Sequence, residues 1–372
     1  MAYNRLVHFE RGWSQTYPNP NNSGSIVLGE NDLLNGKDGF FGGSEGLCGI
    51  AVDPSGNVYC SDSKEHIIIK TTPSGQVSTY AGKAGTWGNN GANTVTAYDA
   101  RFKDPGGVAC DRSGNLYVAD VGNNQIRKID SNRNVSLVAG DPLCSSGFVN
   151  GAWDVARFSS PYDVAPDRAG NIWVADTWNH AIRVINRGSK VWTAAGNGTA
   201  GDAIGHGDVA RFTKPYGVAC SPNGGVYVTD SGNHKVKLID QSFFVHHFSG
   251  SGAAGWFIGD AWTSSYQTLK FCDVDPSGNL YVIDFDPPPS VMSRLLLIDL
   301  NGNPHTIAQW TDKTQYVIGV ACSLSGSLFV VESIDTEFES SSSQSSASSD
   351  SSTEEMSTSF SQSSVSSASS LT

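Results

Sequence analysis

The chain has 372 residues, of which 41 are glycine, 10% are aromatic and 16% are charged, a composition typical of β proteins with many turns. Its formal net charge is −12, and an acidic surface repels nucleic acid and anionic membranes, so both are disfavoured as partners. No apolar run approaches the roughly 18 residues of a membrane span. The start, MAYNRLVHFERGW, lacks the basic and apolar regions of a signal peptide, so we expect a cytoplasmic protein, or one released or carried on a particle without such a signal, and the compartment itself stays open.

The predicted strands recur in groups of four along the chain. Residues 49–82 (GIAVDPSGNVYCSDSKEHIIIKTTPSGQVSTYAG) form the first group, and a D-x-S-G-N turn joins its first two strands. The same order recurs at residues 107–140, 163–196, 217–250 and, with an enlarged middle turn, 271–310. Residues 319–333 hold only the first two strands. A small sheet that recurs at a nearly constant spacing indicates a repeat architecture.

The N-terminus supplies the strands that the last group lacks. Residues 4–10 (NRLVHFE) resemble the third strand of the fourth group, and residues 24–30 (GSIVLGE) resemble a fourth strand. Pairing of both with residues 319–333 would close a ring and remove the exposed sheet edges. The sequence therefore predicts an all-β fold: a closed six-bladed β-propeller of four-stranded blades, with the last blade completed by N-terminal strands.

The composition of the chain changes near residue 339. Residues 339–372 are rich in serine, carry acidic residues but no Lys or Arg, and have few large apolar side chains. Such a segment cannot bury a core. We expect two regions, a propeller at residues 1–338 and a disordered, acidic, Ser-rich tail at residues 339–372.

Polar residues mark the turn between the second and third strands of each group. An Asp ends the second strand, and an Asn or His follows four residues later, where the side chains can hydrogen-bond the backbone of the turn. We interpret the following as structural turn residues: Asp120, Asp176, Asp230, Asn124, His180 and His234. The histidines lie in separate blades, and the radius of the ring should keep them too far apart to share a metal ion.

The turn and its flanking strands match a known motif. WVADTWNHAIRVI at residues 173–185 and YVTDSGNHKVKLI at residues 227–239 fit the pattern Y-V-A-D-x-x-N-H-x-I-R-x-I. This pattern resembles the NHL repeats of six-bladed propellers, and the resemblance spans roughly residues 4–333. The second group has Asn–Asn in place of Asn–His, and the fifth and sixth groups depart from the motif. The resemblance implies the fold, but this fold hosts unrelated activities.

The connections between consecutive groups are long, and three of them share an A-R-F signature before a proline. They are TAYDARFKDP at residues 96–105, GAWDVARFSSP at residues 151–161 and GHGDVARFTKP at residues 205–215. One interpretation is a structural clip, in which the Phe is buried and the Arg hydrogen-bonds carbonyls of the loop. The other is a recognition surface, because loops on a rigid scaffold often carry binding sites. The two are compatible, since a buried Phe can anchor a loop whose tip binds a partner.

Enzymes among the propellers that this chain resembles make demands on the sequence. The resemblance to peptidyl-hydroxyglycine lyases implies zinc-binding histidines just before the first strand of the blades. The matching positions are Cys48, Gly106, Tyr162, Tyr216, Lys270 and Ile318, and none is His. Gluconolactonase-like propellers hold a channel metal with acidic residues, but the matched acids here, Asp62, Asp120, Asp176, Asp230, Asp284 and Glu332, are also explained by turn capping. We therefore expect no catalytic residues, no metal site and no cofactor, with a channel calcium or zinc ion left open.

The same positions near the axis supply the candidate binding residues. Tyr162, Tyr216 and Lys270 should face the axis on the loop-rich side, where the rings could stack on an apolar or sugar surface and the amine could pair with an anion. Trp178 lies at a polar loop tip, and an exposed Trp is a common interface anchor. These residues favour a non-catalytic scaffold that recognises a protein, peptide or glycan. Two alternatives stay open: a metal-dependent lactonase- or lyase-like enzyme, and a structural component of a cell surface or virus particle.

Overall fold

The computed structural model describes residues 2–9, 49–286, 292–311 and 315–335. The predicted strand at residues 24–30 and the predicted tail at residues 339–372 lie outside the described residues. The described chain forms 26 β-strands and three short 3-10 helices. None of the helices in these ranges is long and apolar enough to cross a membrane.

The strands fall into consecutive groups. The N-terminal strand is β1 (Ala2–Phe9). The first group is β2 (Ile50–Val52), β3 (Val58–Asp62), β4 (Ile67–Thr71) and β5 (Val77–Ala81). The second is β6 (Val95–Thr96), β7 (Pro105–Cys110), β8 (Leu116–Asp120), β9 (Gln125–Ile129) and β10 (Asn134–Ala139). The third is β11 (Gly151–Ala152), β12 (Pro161–Pro166), β13 (Ile172–Asp176), β14 (Ala181–Ile185) and β15 (Lys190–Ala195).

The remaining groups complete the order. The fourth is β16 (Gly205–His206), β17 (Pro215–Cys220), β18 (Val226–Asp230), β19 (Lys235–Ile239) and β20 (Phe244–Ser249). The fifth is β21 (Leu269–Val274), β22 (Leu280–Asp286), β23 (Met292–Ile298) and β24 (Pro304–Trp310). The last is β25 (Gln315–Cys322) and β26 (Leu328–Asp335). The 3-10 helices are Val121–Asn123, Thr177–Asn179 and Ser231–Asn233, each directly after the second main strand of its group.

These groups are the blades of an all-β propeller. Each group forms one antiparallel sheet, and the first main strands contact one another in the order β2, β7, β12, β17, β21 and β25, with β25 in turn contacting β2. The described residues show five complete blades rather than the six that the sequence predicts. The remaining sheet has three strands in the order β1–β26–β25. The N-terminal strand therefore joins the last sheet, as predicted, in a register that runs from Ala2 opposite Asp335 to Phe9 opposite Leu328.

The core lies between the blades rather than inside one sheet. Side chains of a first main strand point alternately to the two neighbouring blades, because successive residues of a strand face opposite ways. Val164 packs with Ile126 of the blade before it, whereas Ala165 packs with Val228 of the blade after it. Each blade is thus buried only when both of its neighbours are present, which makes the ring one cooperative unit.

The long connections add a short fifth strand to three blades. β6, β11 and β16 pair with β10, β15 and β20, the last strands of their sheets. They cover part of a strand edge that would otherwise present free backbone groups to solvent. The chain then crosses to the axis, where the next blade begins. The last residues of these connections meet the 3-10 helices, as when the Trp178 N–H donates to Ser159 O, and we call this end of the propeller the loop face. The turns between the first and second main strands lie at the other end, the opposite face, toward which β6, β11 and β16 extend.

Candidate binding face

A buried carboxylate fixes each long connection to the loop face. The Asp176 side chain accepts hydrogen bonds from the backbone N–H of Ser159 at 2.7 Å, from Asn179 Nδ2 at 2.8 Å and from Arg183 Nη1 at 2.7 Å. Both members of the Asp176–Arg183 ion pair are fully buried. Burial raises the pKa of Asp176 to about 6, and Arg183 opposes that rise. The carboxylate therefore ties the loop, the turn and the third main strand to one point.

The same arrangement recurs in three other blades. Each Asp accepts a backbone N–H of the preceding long connection and pairs with a cation of the third main strand. The pairs are Asp120 with Arg127 at 3.7 Å, Asp230 with Lys237 at 2.8 Å and Asp284 with Arg294 at 2.8 Å. The Asp residues expected in the turns thus lie in buried clusters inside the blades.

The phenylalanines of the A-R-F signature lie beneath these cations. Phe102, Phe158 and Phe212 are fully buried. Arg183 lies 5.3 Å from the ring centroid of Phe158, and Lys237 lies 5.0 Å from that of Phe212. Arg101 and Arg211 donate to carbonyls of their own loops, as Arg211 Nη1 does to Val209 O at 2.7 Å, whereas Arg157 pairs with the Asp141 carboxylate at 3.4 Å. These contacts agree with the interpretation of the A-R-F signature as a structural clip, because the buried rings and cations fix the loops to the interior of the blades.

The first blade lacks the cation. Asp62 occupies the register of Asp176, but Ile69 stands where Arg183 stands in the third blade. Asp62 Oδ1 accepts the backbone N–H groups of Lys64 and Glu65, while Oδ2 is buried with no hydrogen-bond partner among the described residues. Burial raises the pKa of Asp62 to about 6.

The matched acids do not converge on the axis to form a metal site. Four of them pair with cations inside their own blades, and Glu332 accepts a hydrogen bond from Trp310 Nε1 at 2.9 Å. Within the described ranges, no group of three or more His, Cys, Asp and Glu side chains is placed to hold a metal ion.

The structure brings Tyr162, Tyr216 and Lys270 together near the axis on the loop face. The rings of Tyr162 and Tyr216 stack with centroids 4.7 Å apart and an interplanar angle of 26°. Lys270 Nζ lies 4.6 Å from the Tyr216 ring centroid and 5.7 Å from that of Phe285. Phe271 meets Tyr216 edge-on at 5.3 Å. We call these five residues the axial cluster.

Burial dominates the chemistry of the axial cluster. Tyr216 is 8% exposed, and its hydroxyl has no hydrogen-bond partner among the described residues. Burial lowers the pKa of Lys270 to about 8, with no charged neighbour among the causes. Tyr162 and Lys270 keep part of their surface accessible. The cluster is therefore a compact aromatic surface with one amine, and the sequence did not indicate the contributions of Phe271 and Phe285.

Three tryptophans of the described residues are exposed on loops, Trp87, Trp178 and Trp262, and the first two lie beside a lysine. Trp178 is 52% exposed, and Lys214 Nζ lies 4.7 Å from its ring centroid. Trp87 is 63% exposed, and Lys103 Nζ lies 5.1 Å from its ring. Sequence reasoning missed Trp87, although the stretch GTWGNN carries the same signal of a large aromatic residue among turn formers. The loop face thus presents two lysine–tryptophan pairs.

A cavity of about 180 Å³ lies along the axis, lined by the first main strands and extending to the turns of the opposite face. Two carboxylates in its wall bind backbone N–H groups of neighbouring blades: Asp163 accepts from Val218 at 3.0 Å, and Asp273 accepts from Cys322 at 2.7 Å. Burial raises the pKa of Asp163 well above its usual range and that of Asp273 to about 6. These two hydrogen bonds link neighbouring blades. The axial cluster lies nearer to the loop face than the two carboxylates.

Comparison with known proteins identifies the repeats of this chain. A family model for the NHL repeat matches residues 102–129, 158–185 and 212–237. The chain contains NHL repeats. Among curated NHL proteins, NHL repeat-containing protein 2 of Bos taurus is 32% identical over 170 residues, which is 42% of this chain and 23% of that protein. Protein SUPPRESSOR OF QUENCHING 1, chloroplastic, of Arabidopsis thaliana is 30% identical over 157 residues, which is 40% of this chain and 15% of that protein.

These relatives are much longer than the match. The chain covers less than a quarter of their length. Among solved structures, a gluconolactonase from Xanthomonas campestris superposes with a TM-score of 0.51 at 15% identity, covering 76% of this chain and 84% of that chain. At this identity the likeness shows the propeller fold alone.

The structure explains why the NHL motif requires its Asn and His. Asn179 Nδ2 donates to Gly147 O at 2.7 Å, which fixes the preceding loop. His180 has a left-handed backbone with φ of 50°, and its Nδ1 accepts the backbone N–H of Lys214 in the next loop at 3.0 Å. Asn124, at φ of 53°, accepts a backbone N–H of the next loop in the same way. His234 Nδ1 lies 2.8 Å from Gln267 O. The motif therefore links neighbouring blades through their loops.

Proposed function

We propose that this NHL propeller is a non-catalytic recognition module whose loop face binds a protein, peptide or glycan. The observation that carries the proposal is the exposure of Trp178 on a loop that is fixed from below by Asp176. A large aromatic side chain on a rigid support loses little conformational entropy on binding, which is why Trp is common at binding hot spots. The lysine–tryptophan pairs and the axial cluster, with Tyr162, Tyr216 and Lys270, form the rest of the surface.

We also propose that the ring closes as six blades. The contacts of β25 with both β21 and β2 support this, as does the pairing of β1 with β26. The strand predicted at residues 24–30 would then complete the last blade, the propeller would extend over residues 1–338, and residues 339–372 would be a separate tail.

The experiment is a screen of the full chain against defined peptide and glycan arrays, followed by affinity measurement for the hits. The loop-face variant carries Trp87→Ala and Trp178→Ala. The control variant carries Leu300→Ala and Leu324→Ala, two leucines that are 58% and 62% exposed in turns of the opposite face. Truncation of a hot-spot Trp costs about 2 kcal/mol or more, so the loop-face variant should bind about 30-fold more weakly while the control binds normally. Equal loss in both variants, or in neither, would refute the proposal.

The two alternative functions have separate tests. A lactonase- or lyase-like enzyme with an axial cation requires a stoichiometric metal, which elemental mass spectrometry of the purified chain would detect, and turnover of a lactone substrate. A structural component of a surface or particle requires the Ser-rich tail, so deletion of residues 340–372 should abolish its assembly. Recognition by the loop face should survive that deletion.

A further inference from the structure

Lys270 is a partly buried amine with no ion-pair partner among the described residues. It lies in β21, where its Nζ contacts the faces of the Tyr216 and Phe285 rings. No carboxylate of the described chain forms an ion pair with it. Lys237 shows the usual solution, since its Nζ lies 2.8 Å from Asp230 Oδ2 and 2.9 Å from Asp202 Oδ1.

The aromatic rings around Lys270 replace only part of the stabilisation that an ammonium group loses when it leaves water. Aromatic faces attract a cation, but by less than a full negative charge does in a dry site. The lowered pKa of Lys270, about 8, reflects this deficit. Tyr216 adds a second unsatisfied group, because its buried hydroxyl has no hydrogen-bond partner among the described residues. An anion bound beside the amine would supply the negatively charged partner that the cluster lacks.

The cluster also limits which anion fits. It contains one cation, so it matches a single negative charge rather than a doubly charged phosphate. Tyr162, Phe271 and Lys270 cover the ring of Tyr216, which is 8% exposed. The partly exposed ring of Tyr162 therefore offers the flat apolar surface of the cluster. A flat apolar group next to a carboxylate would use both features, because aromatic rings prefer stacked or edge-on neighbours.

We propose that the axial cluster binds the carboxylate of an aromatic carboxylic acid, with Lys270 as the anion-binding residue and Tyr162, supported from behind by Tyr216, as the stacking surface. This inference deepens the proposed function and rests on it, because it names the ligand chemistry of the loop face at the axis. The acid has two sources, a small free aromatic acid or the C-terminal aromatic residue of a peptide, and they present the same chemistry.

The test measures binding of matched acids and amides to the full chain by calorimetry at pH 7. Phenylacetate and phenylacetamide represent the small molecules, and a short peptide ending in phenylalanine, as free acid and as amide, represents the second source. A hydrogen bond to a charged group contributes about 1.5–3 kcal/mol, so each bound acid should bind at least about 10-fold more tightly than its amide. Equal affinity of acid and amide, or no binding of either acid at about 10 mM, overturns the inference.

Two variants assign the effect to Lys270. Lys270→Met keeps the length and apolar stem of the side chain and should abolish the preference for the acid. Lys70→Met removes an amine that also lies over aromatic rings, those of Tyr59 and Tyr80 in the first blade, and should leave the preference intact. Lys270→Arg should restore binding if the Met variant loses it through the charge. A preference that persists in Lys270→Met contradicts the assignment.

The pH dependence gives an independent readout. Affinity for the acid should fall as pH rises through about 8 to 9.5, because the amine loses its proton, and the Lys270→Arg variant should not show this fall. The strands packed against β21 carry the following titratable residues: Tyr216, Cys220, Tyr227, Asp230, Tyr281, Asp284, Asp286, Tyr316 and Cys322. Asp284 and Asp230 are paired with Arg294 and Lys237. The Lys270→Arg variant keeps all of these groups, so a fall in affinity that this variant lacks belongs to Lys270. Affinity that stays flat over this range would overturn the inference.

The two proposals fail in different ways. If the acids do not bind but the Trp87 and Trp178 substitutions still abolish an array hit, the axial inference is wrong and recognition by the loop face stands. If the acids bind through Lys270 but no array ligand depends on the tryptophans, the axial inference stands and the assignment of recognition to Trp87 and Trp178 is wrong.

Discussion

Removal of the Asp176 carboxylate should destabilise the whole propeller. The Asp176→Ala substitution takes away the partner of Arg183 while the guanidinium stays fully buried, and it also frees the backbone N–H of Ser159 and the amide of Asn179. Breaking one side of a buried ion pair costs about 3–5 kcal/mol, because an uncompensated charge remains in a dry site. We expect a loss of this size in the free energy of unfolding at pH 7.

The matched control is Asp62→Ala. Asp62 has the same register in the first blade, but Ile69 replaces the cation and Asp62 Oδ2 has no partner among the described residues. Its removal leaves no buried cation behind, so it should cost at most about 1 kcal/mol. Urea unfolding followed by tryptophan fluorescence measures both variants. Equal losses at the two positions, or a loss below about 1 kcal/mol for Asp176→Ala, would refute the explanation of the clip.

Three further predictions concern the clip, the NHL turn and the axis. Phe158→Ala should cost about 3–5 kcal/mol, because it leaves a cavity under a buried cation, and a thermal or urea unfolding curve would contradict this if the midpoint did not move. His180→Asn should leave the free energy of unfolding nearly unchanged, because Asn tolerates the left-handed backbone and can accept the N–H of Lys214. His180→Ala should lower it by about 1–2 kcal/mol. A larger loss for Asn than for Ala would show that these two features do not determine the stability of the turn. Burial raises the pKa of Asp273 from its ordinary 3.8 to about 6, so between these pH values the folded state binds more protons than the unfolded state. The contribution of this group to the free energy of unfolding should therefore fall as pH rises from about 4 to about 6. Asp273→Asn should reduce the slope of the stability profile in this range, and an unchanged slope would contradict the assignment.

Most of the fold could be predicted from the sequence because the same local signals occur several times. A glycine-containing turn, which reads D-x-S-G-N in the first, second and fifth groups, and the alternating strand that follows it recur along the chain. Repetition makes each weak local pattern a reliable one. The likeness of residues 4–10 to a third strand correctly predicted that the N-terminal strand pairs with β26. The identification of NHL repeats is confirmed by the family match.

The short fifth strands were not predicted, for a physical reason. β6, β11 and β16 have two residues each and exist only because the edge of a neighbouring strand is available. Such pairing depends on tertiary position rather than on an alternating pattern. The same holds for the axial cluster, where register predicted that Tyr162, Tyr216 and Lys270 lie together but could not show how far Tyr216 is buried.

The buried cations were visible in the sequence but were not recognised. Three cations each follow the turn Asp by seven residues: Arg127, Arg183 and Lys237. At this spacing each lies on the third main strand, directly across from a residue of the second main strand. A basic residue at the same place in three strands is a signal of an internal pair, because a lone cation would not be repeated in a core. Asp163 gave a similar signal, since it replaces the Gly of four other groups.

The measurement that tests the central claim most directly compares the ligand affinities of a loop-face variant and an opposite-face variant. For a peptide or glycan selected on the arrays, the dissociation constant of the full chain is compared with those of the Trp87→Ala/Trp178→Ala and Leu300→Ala/Leu324→Ala variants. Our account predicts that the loop-face variant binds about 30-fold more weakly and that the opposite-face variant is unchanged. Weakened binding in the opposite-face variant alone would contradict it and move the binding surface to the other end of the propeller.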